Sequence, residues 1–227
     1  MASMRKSLKS STLSLFFGGI FLAALVGQAI AGWHQFNSDQ LATGLGHISL
    51  GAYLTSADFA ADVTENWQSE YLQFLLYIAA TVWFVQVGSP ESKSPDEVGL
   101  ESDKDQKVGR YADENSPSWA RVGGVRTTVF SWSLTLMMGL IFLACWAVQS
   151  IGGWAANNET RLEQVQDPLP WTRYLTDPDF WSRTLQNWQS EFLAVGSMAV
   201  LSIYLRQRGS PESKPVGAPH SSTSVEG

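Results

Sequence analysis

An internal duplication constrains this chain more than any other feature. The pentapeptide Asn-Trp-Gln-Ser-Glu occurs at residues 66–70 and again at 187–191, and the hexapeptide Gly-Ser-Pro-Glu-Ser-Lys occurs at 88–93 and at 209–214. In both cases the offset is 121 residues. When residues 10–93 are aligned without gaps with residues 131–214, 32 of the 84 positions are identical. Similarity at one fixed offset over this length predicts two copies of one structural unit.

Four long blocks of the chain carry no charged side chain. Asp, Glu, Lys and Arg are missing from residues 10–38, 71–90, 127–158 and 192–205. A helix that crosses a hydrocarbon core of about 30 Å needs roughly 20 largely apolar residues. The fourth block is shorter than that, so we expect its helix to extend backwards through Glu191. The sequence therefore predicts an all-α, polytopic membrane protein with four transmembrane helices.

The duplication and the apolar blocks together predict a domain plan. The first repeat takes residues 1–93, with transmembrane helices near 13–33 and 67–87 and an outer loop at 34–66. A flexible cytoplasmic linker follows at 94–126. The second repeat takes residues 127–214, with transmembrane helices near 128–152 and 188–207, an outer loop at 153–187 and, after it, a disordered tail at 215–227. Each repeat crosses the membrane twice, so we expect two parallel repeats with the same orientation.

The amino terminus resembles a secretory signal peptide, because Arg5, Lys6 and Lys9 precede an apolar run that ends in small residues. The same run recurs inside the chain at residues 134–154, where no signal peptide can lie. We therefore interpret both copies as retained transmembrane helices.

The distribution of Lys and Arg predicts the orientation. Neither residue occurs between positions 31 and 70, whereas both occur in the amino terminus, in the linker and at residues 206–214. Cytoplasmic segments of membrane proteins carry an excess of Lys and Arg. We expect both termini and the linker in the cytoplasm and both long loops outside, although Arg161, Arg173 and Arg183 weaken the signal in the second loop.

Each outer loop contains a predicted amphipathic helix that lies at the membrane surface. Ser56 and Asp177 are suitable N-cap residues, and Pro178 is suited to a first helical position. Such a helix either turns at the Asn of the pentapeptide or runs straight into the bilayer. Tryptophan is enriched at membrane interfaces. We therefore expect four interface anchors at the outer helix ends: Trp33, Trp67, Trp154 and Trp188.

The pentapeptides supply the candidate functional residues. Helix-length arithmetic places Glu70 and Glu191 about one turn inside the outer interface, where Gln28 and Gln149 on the partner helices are suitable hydrogen-bond partners. The predicted polar intramembrane cluster comprises Gln28, Asn66, Gln68, Glu70, Gln149, Asn187, Gln189 and Glu191. One interpretation is that the two acids are interfacial carboxylates held by Gln and Ser neighbours. In the other, they face one cleft and bind a cation, a proton or a polar solute.

Two further patterns allow alternative interpretations. The hexapeptide is suited to ending a helix through a left-handed Gly followed by a Ser-Pro turn, and it is equally suited to recognition by a cytoplasmic partner. Small residues recur every four positions from Gly19 to Ala31, a spacing compatible with a homo-oligomer contact and also with ordinary helix packing.

Composition argues against several functional classes. The net charge of -6 provides no basic surface for nucleic acid. The single Cys and the three scattered His residues lack metal-ligand spacing. Phosphate-binding, nucleophile-elbow and zinc-protease motifs are missing. We expect a protein that is not an enzyme and has no cofactor, with the lipid bilayer as its first partner.

The pentapeptides, the loop motif Tyr53-Leu54-Thr55 and the ending Arg206–Pro215 resemble an uncharacterised bacterial integral-membrane family, a domain of unknown function. The first repeat departs from the pattern, because Val85-Gln86-Val87 stands where Arg206-Gln207-Arg208 stands in the second. The resemblance implies a multi-pass protein of the bacterial inner membrane and assigns no activity. We expect a structural or interaction protein of the envelope, and the alternative is a small carrier or pore that uses Glu70 and Glu191. The sequence names no protein partner.

Overall fold

The computed structural model describes residues 10–225, and within that range the chain is all-α and contains no strand. The described residues form eight α-helices and two short 3-10 helices. The α-helices are α1 (Thr12–Ala42), α2 (Leu50–Leu54), α3 (Ala57–Ala80), α4 (Ser118–Arg121), α5 (Gly124–Ser131), α6 (Ser133–Glu163), α7 (Trp171–Tyr174) and α8 (Pro178–Tyr204). The 3-10 helices are Pro95–Glu97 and Gly109–Tyr111. The predicted all-α class is confirmed. The basic residues Arg5, Lys6 and Lys9 and the last two residues of the predicted tail lie outside the described residues.

Two compact units make up the fold. Unit one contains the chain up to Val63 together with Gln149–Tyr174, and unit two contains Thr64–Val148 together with the chain from Leu175 onward. Helices α3 and α6 therefore each contribute one part to unit one and the other part to unit two.

In unit one, the side chain of Asn37 closes the turn that follows α1. Its Nδ2 donates to the carbonyls of Trp33 at 3.1 Å and Ile48 at 3.2 Å, and its Oδ1 accepts from the Ile48 N–H at 2.7 Å. The indole of Trp33 also donates to the Ile48 carbonyl at 2.8 Å. Asn37 is buried, so these bonds supply loop backbone groups with partners that water does not provide there.

The same arrangement occurs after α6. Asn158 donates to the Leu169 carbonyl at 2.9 Å and accepts from the Leu169 N–H at 2.7 Å. Trp154 donates to that carbonyl at 2.6 Å. These three residues stand 121 positions after those of the first turn, so both turns use one hydrogen-bonding scheme.

A Tyr side chain packs on a helix glycine in each half of unit one. A Cβ at Gly32 would collide with the Tyr53 hydroxyl, and a Cβ at Gly153 would meet the Tyr174 hydroxyl at 2.6 Å. Both Tyr side chains are almost fully buried. The glycines therefore make room for a ring that joins a short helix to a long one.

Helices α3 and α8 begin as predicted. The Ser56 hydroxyl accepts from the Phe59 N–H at 3.2 Å, and Asp177 accepts from the Asp179 N–H with Pro178 in the first turn. Both helices then continue without a break through Asn66 and Asn187. Of the two alternatives for the outer amphipathic helices, the structure has the one in which they run straight on.

The helix ends differ from the predicted limits. Helices α1 and α6 extend to Ala42 and Glu163 instead of ending near 33 and 152, because residues 34–42 and 155–163 contain neither Gly nor Pro. Trp33 and Trp154 consequently lie within helices and not at their ends.

Two other predicted spans end earlier than expected, and a third is divided into two helices. Helix α3 ends at Ala80 instead of 87. At this end the Thr81 hydroxyl donates a hydrogen bond to the Tyr77 carbonyl at 2.9 Å. Helix α8 ends at Tyr204 instead of 207, where Arg206 binds the Ile203 carbonyl at 3.0 Å. The predicted helix at 128–152 is divided at Trp132 between α5 and α6.

The predicted linker and tail have more structure than expected. The linker forms the two 3-10 helices and α4, and its Gly99 N–H donates to the Val82 carbonyl at 2.8 Å. In the tail, Ser224 donates to the carbonyls of Ser89 at 3.3 Å through its N–H and Ser92 at 2.5 Å through its hydroxyl. Ser, Pro and Gly form local turns readily. Both segments therefore make contacts although they contain few apolar residues.

Two helices are long and apolar enough to cross a membrane, Thr12–Ala42 and Ser133–Glu163. No other helix of residues 10–225 meets that test of length and composition. The apolar part of α1 is not buried by any other described part of the chain. A Cβ added at Gly19 or Gly27 would contact no described neighbour.

Helices α1 and α6 end in the same hydrogen-bonded turn. The Leu45 and Gly44 N–H groups bond to the carbonyls of Gln40 at 2.8 Å and Leu41 at 3.1 Å, and Gly44 has a φ of 81°. In the second copy Val165 takes the place of Gly44, with a φ of 59°. This left-handed conformation costs an L-residue roughly 1–2 kcal/mol that Gly avoids.

We expect Val165→Gly to raise the free energy of unfolding by about 0.5–1 kcal/mol. The substitution removes the strain of a left-handed backbone at Val165, and this gain exceeds the cost of the greater conformational entropy that Gly gives the unfolded chain. The Val165 side chain is 93% exposed, so its removal sacrifices no packing. Gly44→Val is the matched control and should destabilise the protein. Thermal unfolding of the purified protein in mild detergent measures both changes, and a destabilised Val165→Gly variant would contradict the assignment.

Candidate functional site

The candidate site lies in unit two, where α3 and α8 contact each other through polar side chains. Arg183 Nη1 lies 3.2 Å from Glu65 Oε2, and Trp188 Nε1 donates to Gln68 Oε1 at 2.9 Å. Gln68 follows Glu65 along α3, and its partner Trp188 likewise follows Arg183 along α8. The two helices therefore run in the same direction where they meet.

The carboxylates of Glu70 and Glu191 lie near each other in this region. They are close enough for the charge of Glu70 to act on Glu191, and they are equivalent residues of the two pentapeptides. Glu191 is half-buried and Glu70 is exposed. Within residues 10–225, neither carboxylate has a hydrogen bond or an ion pair, so the repulsion between them is not offset by a cation from the protein.

The other polar residues of the pentapeptides bond within their own helices. The hydroxyls of Ser69 and Ser190 donate to the carbonyls of Asn66 and Asn187, each at 2.8 Å. The Asn187 amide donates to the Arg183 carbonyl at 3.1 Å. These bonds do not hold the Glu carboxylates in the way that the interfacial interpretation expects of the Ser neighbours.

The two pentapeptides occupy different environments. Gln68 is completely buried and Ser69 nearly so, whereas Gln189 and Ser190 are exposed. Besides accepting the bond from Trp188, Gln68 donates to the Glu65 carbonyl at 3.1 Å. An identical sequence thus has an asymmetric structural role in the two copies.

An aromatic cluster is centred on the indole of Trp146. Trp146 of α6 lies 6.1 Å from Trp188, 6.2 Å from Phe180 and 6.3 Å from Trp181 between ring centroids, and it stacks on Phe142 at 5.5 Å. Aromatic pairs at such distances stabilise a core beyond their buried area. The cluster fixes α8 against α6 beside the acidic pair.

The remaining predicted site residues are divided between the two units. Gln28 and Gln149 belong to unit one, whereas Glu70 and Glu191 belong to unit two, and the proposed Gln-to-Glu hydrogen bonds stay predictions. Gln28 is exposed and Gln149 is buried. Asn66 and Trp67 are exposed on α3. Of the four Trp residues chosen as interface anchors, Trp33, Trp154 and Trp188 donate their indole N–H to a partner within the protein.

In each hexapeptide the second Ser holds the chain that leaves the helix. The Ser92 hydroxyl accepts from the Gln86 N–H at 2.8 Å, and Ser213 accepts from the Gln207 N–H at 2.9 Å. Gly88 and Gly209 have φ values of 91° and 79°. Both Gly residues therefore have the predicted left-handed conformation, but they do not end the helices, because α3 ends at Ala80 and α8 at Tyr204. The repeated Ser is explained by a repeated turn.

Lys214, the last residue of the second hexapeptide, is buried in a ring of carbonyl oxygens. Its Nζ donates to the carbonyl of Gly88 at 2.6 Å. Three tail carbonyls complete the ring, those of Pro219 at 3.3 Å, His220 at 2.9 Å and Ser222 at 3.2 Å. Burial, together with the nearby positive charge of Arg206, lowers the pKa of the Lys214 amine. We call this arrangement the Lys214 cage.

Burial also limits what the hexapeptides can recognise. Ser89, Ser92, Ser213 and Lys214 are all buried, and the tail contacts the first hexapeptide through the Gly88 N–H, which donates to Thr223 Oγ1 at 2.9 Å. The first hexapeptide is mostly buried, which favours the structural interpretation for that copy, whereas Gly209, Pro211 and Glu212 of the second are exposed.

Sequence reasoning missed several residues that build this region. Asn37 and Asn158 are identical at the repeat offset, and that identity was a sufficient signal for a shared structural role. Arg183 and Trp146 have no identical counterpart in the first repeat, where Asp62 and Leu25 stand. A search by repeat identity alone cannot find residues of that kind.

We expect Lys214→Met to lower the free energy of unfolding by about 1–3 kcal/mol, because it leaves buried carbonyls without a donor. Lys93→Met is the matched control at the equivalent position. Lys93 pairs with Glu101 at 2.9 Å, and both side chains are partly exposed, so its loss should cost less than about 1 kcal/mol. Thermal unfolding in detergent compares the two, and equal losses would show that the cage contributes no special stability.

Comparison with known proteins identifies a family but no activity. No curated protein matches the chain, and no solved structure matches it. A family model described as a domain of unknown function, DUF6766, matches residues 4–225. That match spans nearly all of the sequence, including both pentapeptides, both hexapeptides and the acidic pair. The chain therefore belongs to the DUF6766 family.

Proposed function

We propose that the chain is a multi-pass integral membrane protein of the bacterial inner membrane, with four spans arranged as two parallel repeats. The two long apolar helices α1 and α6 support the first span of each repeat. The common direction of α3 and α8 where they pair supports a parallel relation between the second spans. In this arrangement both termini and residues 94–126 lie in the cytoplasm, as the Lys and Arg distribution favours.

Cysteine labelling tests this topology. Ser38 and Gln164 are exposed and adjoin the two long outer segments, and Ser102 is exposed in the linker. We expect Ser38→Cys and Gln164→Cys to react with a membrane-impermeant maleimide on intact cells, and Ser102→Cys to react only after permeabilisation. The buried Cys145 provides the background in the unmodified protein. Labelling of Ser102→Cys alone on intact cells would reverse the orientation.

We propose that the protein carries protons or small cations by means of Glu70 and Glu191. The observation that carries this proposal is the proximity of two equivalent carboxylates that have no partner within the described chain. Two like charges near a low-dielectric medium repel each other, and a shared proton or a bound cation removes that repulsion. A two-fold relation between parallel repeats brings equivalent residues together near its axis, which is how we interpret the pair.

The surrounding charges support a cationic ligand. Arg183, a basic residue of α8, lies 3.2 Å from Glu65 and 3.7 Å from Asp179. Its charge is therefore already balanced by other carboxylates. A cation that reaches Glu70 and Glu191 does not have to displace it.

A structural or interaction role in the envelope is the second candidate, and a specific observation favours it. Several polar residues that the repeats share, such as Asn37, Asn158, Ser92 and Ser213, bond to the protein backbone. Their repetition is thus explained by the fold and requires no transported ligand.

A flux assay distinguishes the two candidates. We expect proteoliposomes containing the wild-type protein to carry a proton or alkali-cation current above that of protein-free vesicles. The Glu70→Gln/Glu191→Gln double variant should lower it at least about tenfold, because neutral amides cannot exchange a proton or balance a cation. Glu114→Gln in the exposed linker is the matched control and should leave the flux unchanged. No flux from the wild type, or equal flux from the double variant, would leave the interaction role.

A further inference from the structure

A second feature of unit two is a cavity of about 630 Å³ between the linker, the inner end of α3 and the start of α5 and α6. Ile78, Val82 and Leu134 contribute apolar wall, and Trp132 contributes an indole face that is 39% exposed. Residues 99–109 of the linker close the opposite side. The cavity contains none of the residues assigned to the acidic pair.

The charged side chains of the cavity wall favour a cation. One amine, Lys93, and two carboxylates, Glu101 and Asp103, line it. The Lys93 amine lies 2.9 Å from Glu101 and donates to the Gly99 carbonyl at 3.0 Å. Lys93 and Gln106 hydrogen-bond to Glu101 and hold the pKa of its carboxyl below the usual range, so Glu101 is ionised and cancels Lys93. The carboxylate of Asp103 remains as the uncompensated charge of the wall.

Three of the four hydroxyl groups of the wall, those of Thr127, Thr128 and Ser131, present acceptors and not donors. Thr127 donates its proton to the Trp119 carbonyl at 2.6 Å, Thr128 to Gly124 at 3.3 Å and Ser131 to Thr127 at 2.8 Å. A hydroxyl whose proton is engaged can offer a ligand only its lone pairs. A ligand that hydrogen-bonds to these groups must therefore bring N–H or O–H donors.

The first turn of α5 is the feature that argues for an anion instead. Gly123 and Gly124 border the cavity, and a helix start carries about half a positive elementary charge. The side chains contribute a net charge of one negative unit, from two carboxylates and one amine. The carboxylate therefore outweighs the helix start.

We propose that this cavity binds a protonated primary amine attached to an apolar body, such as an arylalkylammonium ion. The ammonium group lies at Asp103 and donates to the hydroxyl oxygens of Thr128 and Ser131. The apolar body lies against Ile78, Val82 and Trp132. An ammonium near an indole face also gains a cation–π attraction.

The test uses the full-length protein purified in mild detergent and two water-soluble probes with the same phenylethyl body, 2-phenylethylammonium and 3-phenylpropanoate. Isothermal titration and saturation-transfer NMR measure their binding at neutral pH. We expect the amine to bind at least about tenfold more tightly than the carboxylate. Asp103→Asn should weaken amine binding at least about fivefold, and Asp103→Glu should restore most of it.

Asp96→Asn is the matched control, because Asp96 is an exposed acid of the same linker outside the cavity wall. It removes the same charge and should leave amine binding unchanged. The circular dichroism spectrum and the unfolding temperature of each variant establish that it is folded. Tighter binding of 3-phenylpropanoate would assign the cavity to an anion at the start of α5. An Asp103→Asn variant that is folded and binds the amine as well as wild type would overturn the proposal.

Discussion

Hydrogen bonds from buried polar side chains to the backbone hold this fold together. A turn that leaves a long apolar helix exposes carbonyl and N–H groups, and an unpartnered group of this kind costs about 1–3 kcal/mol when it is buried. Asn37 and Asn158 supply both a donor and an acceptor to one loop residue each. Ser92 and Ser213 likewise accept hydrogen bonds from backbone N–H groups in the segments that follow α3 and α8. These bonds act together with the buried rings of Tyr53 and Tyr174, which pack on Gly32 and Gly153 and join each short helix to a long one.

The contact between α3 and α8 shows how a repeated sequence acquires an unequal structure. The Gln of the first pentapeptide is buried beneath a Trp of the second, whereas the Gln of the second is exposed. Equivalent residues of the two repeats can therefore differ in burial and in hydrogen bonding although their sequences are identical. Glu70 and Glu191 also differ in burial, but the charge of one acts on the other and neither has a hydrogen bond within the described residues.

The sequence predicted those features that depend on local chemistry. The all-α class followed from charge-free blocks, the starts of α3 and α8 followed from Ser56 and Asp177, and the left-handed turns followed from Gly88 and Gly209. Helix ends were less predictable, because Arg206 and Thr81 end helices through side-chain contacts that leave no periodic signal. The contacts of the tail could not be predicted from composition, since they are made with the distant first hexapeptide. The pairing of Arg183 with Glu65 depends on helix register, which the repeat alone does not define.

The Lys214 cage has a consequence for the order in which the molecule is completed. The carbonyl of Gly88, in the first half, receives an amine from residue 214, and the Gly88 N–H donates to Thr223. These partners follow Gly88 by 126 and 135 residues, so the Gly88 backbone has neither of them until the second repeat has been synthesised. Contacts between residues so far apart in sequence also form slowly. The local bond from the Gln86 N–H to Ser92 can form early, whereas a chain that stops before residue 214 leaves the Gly88 carbonyl without the Lys214 amine.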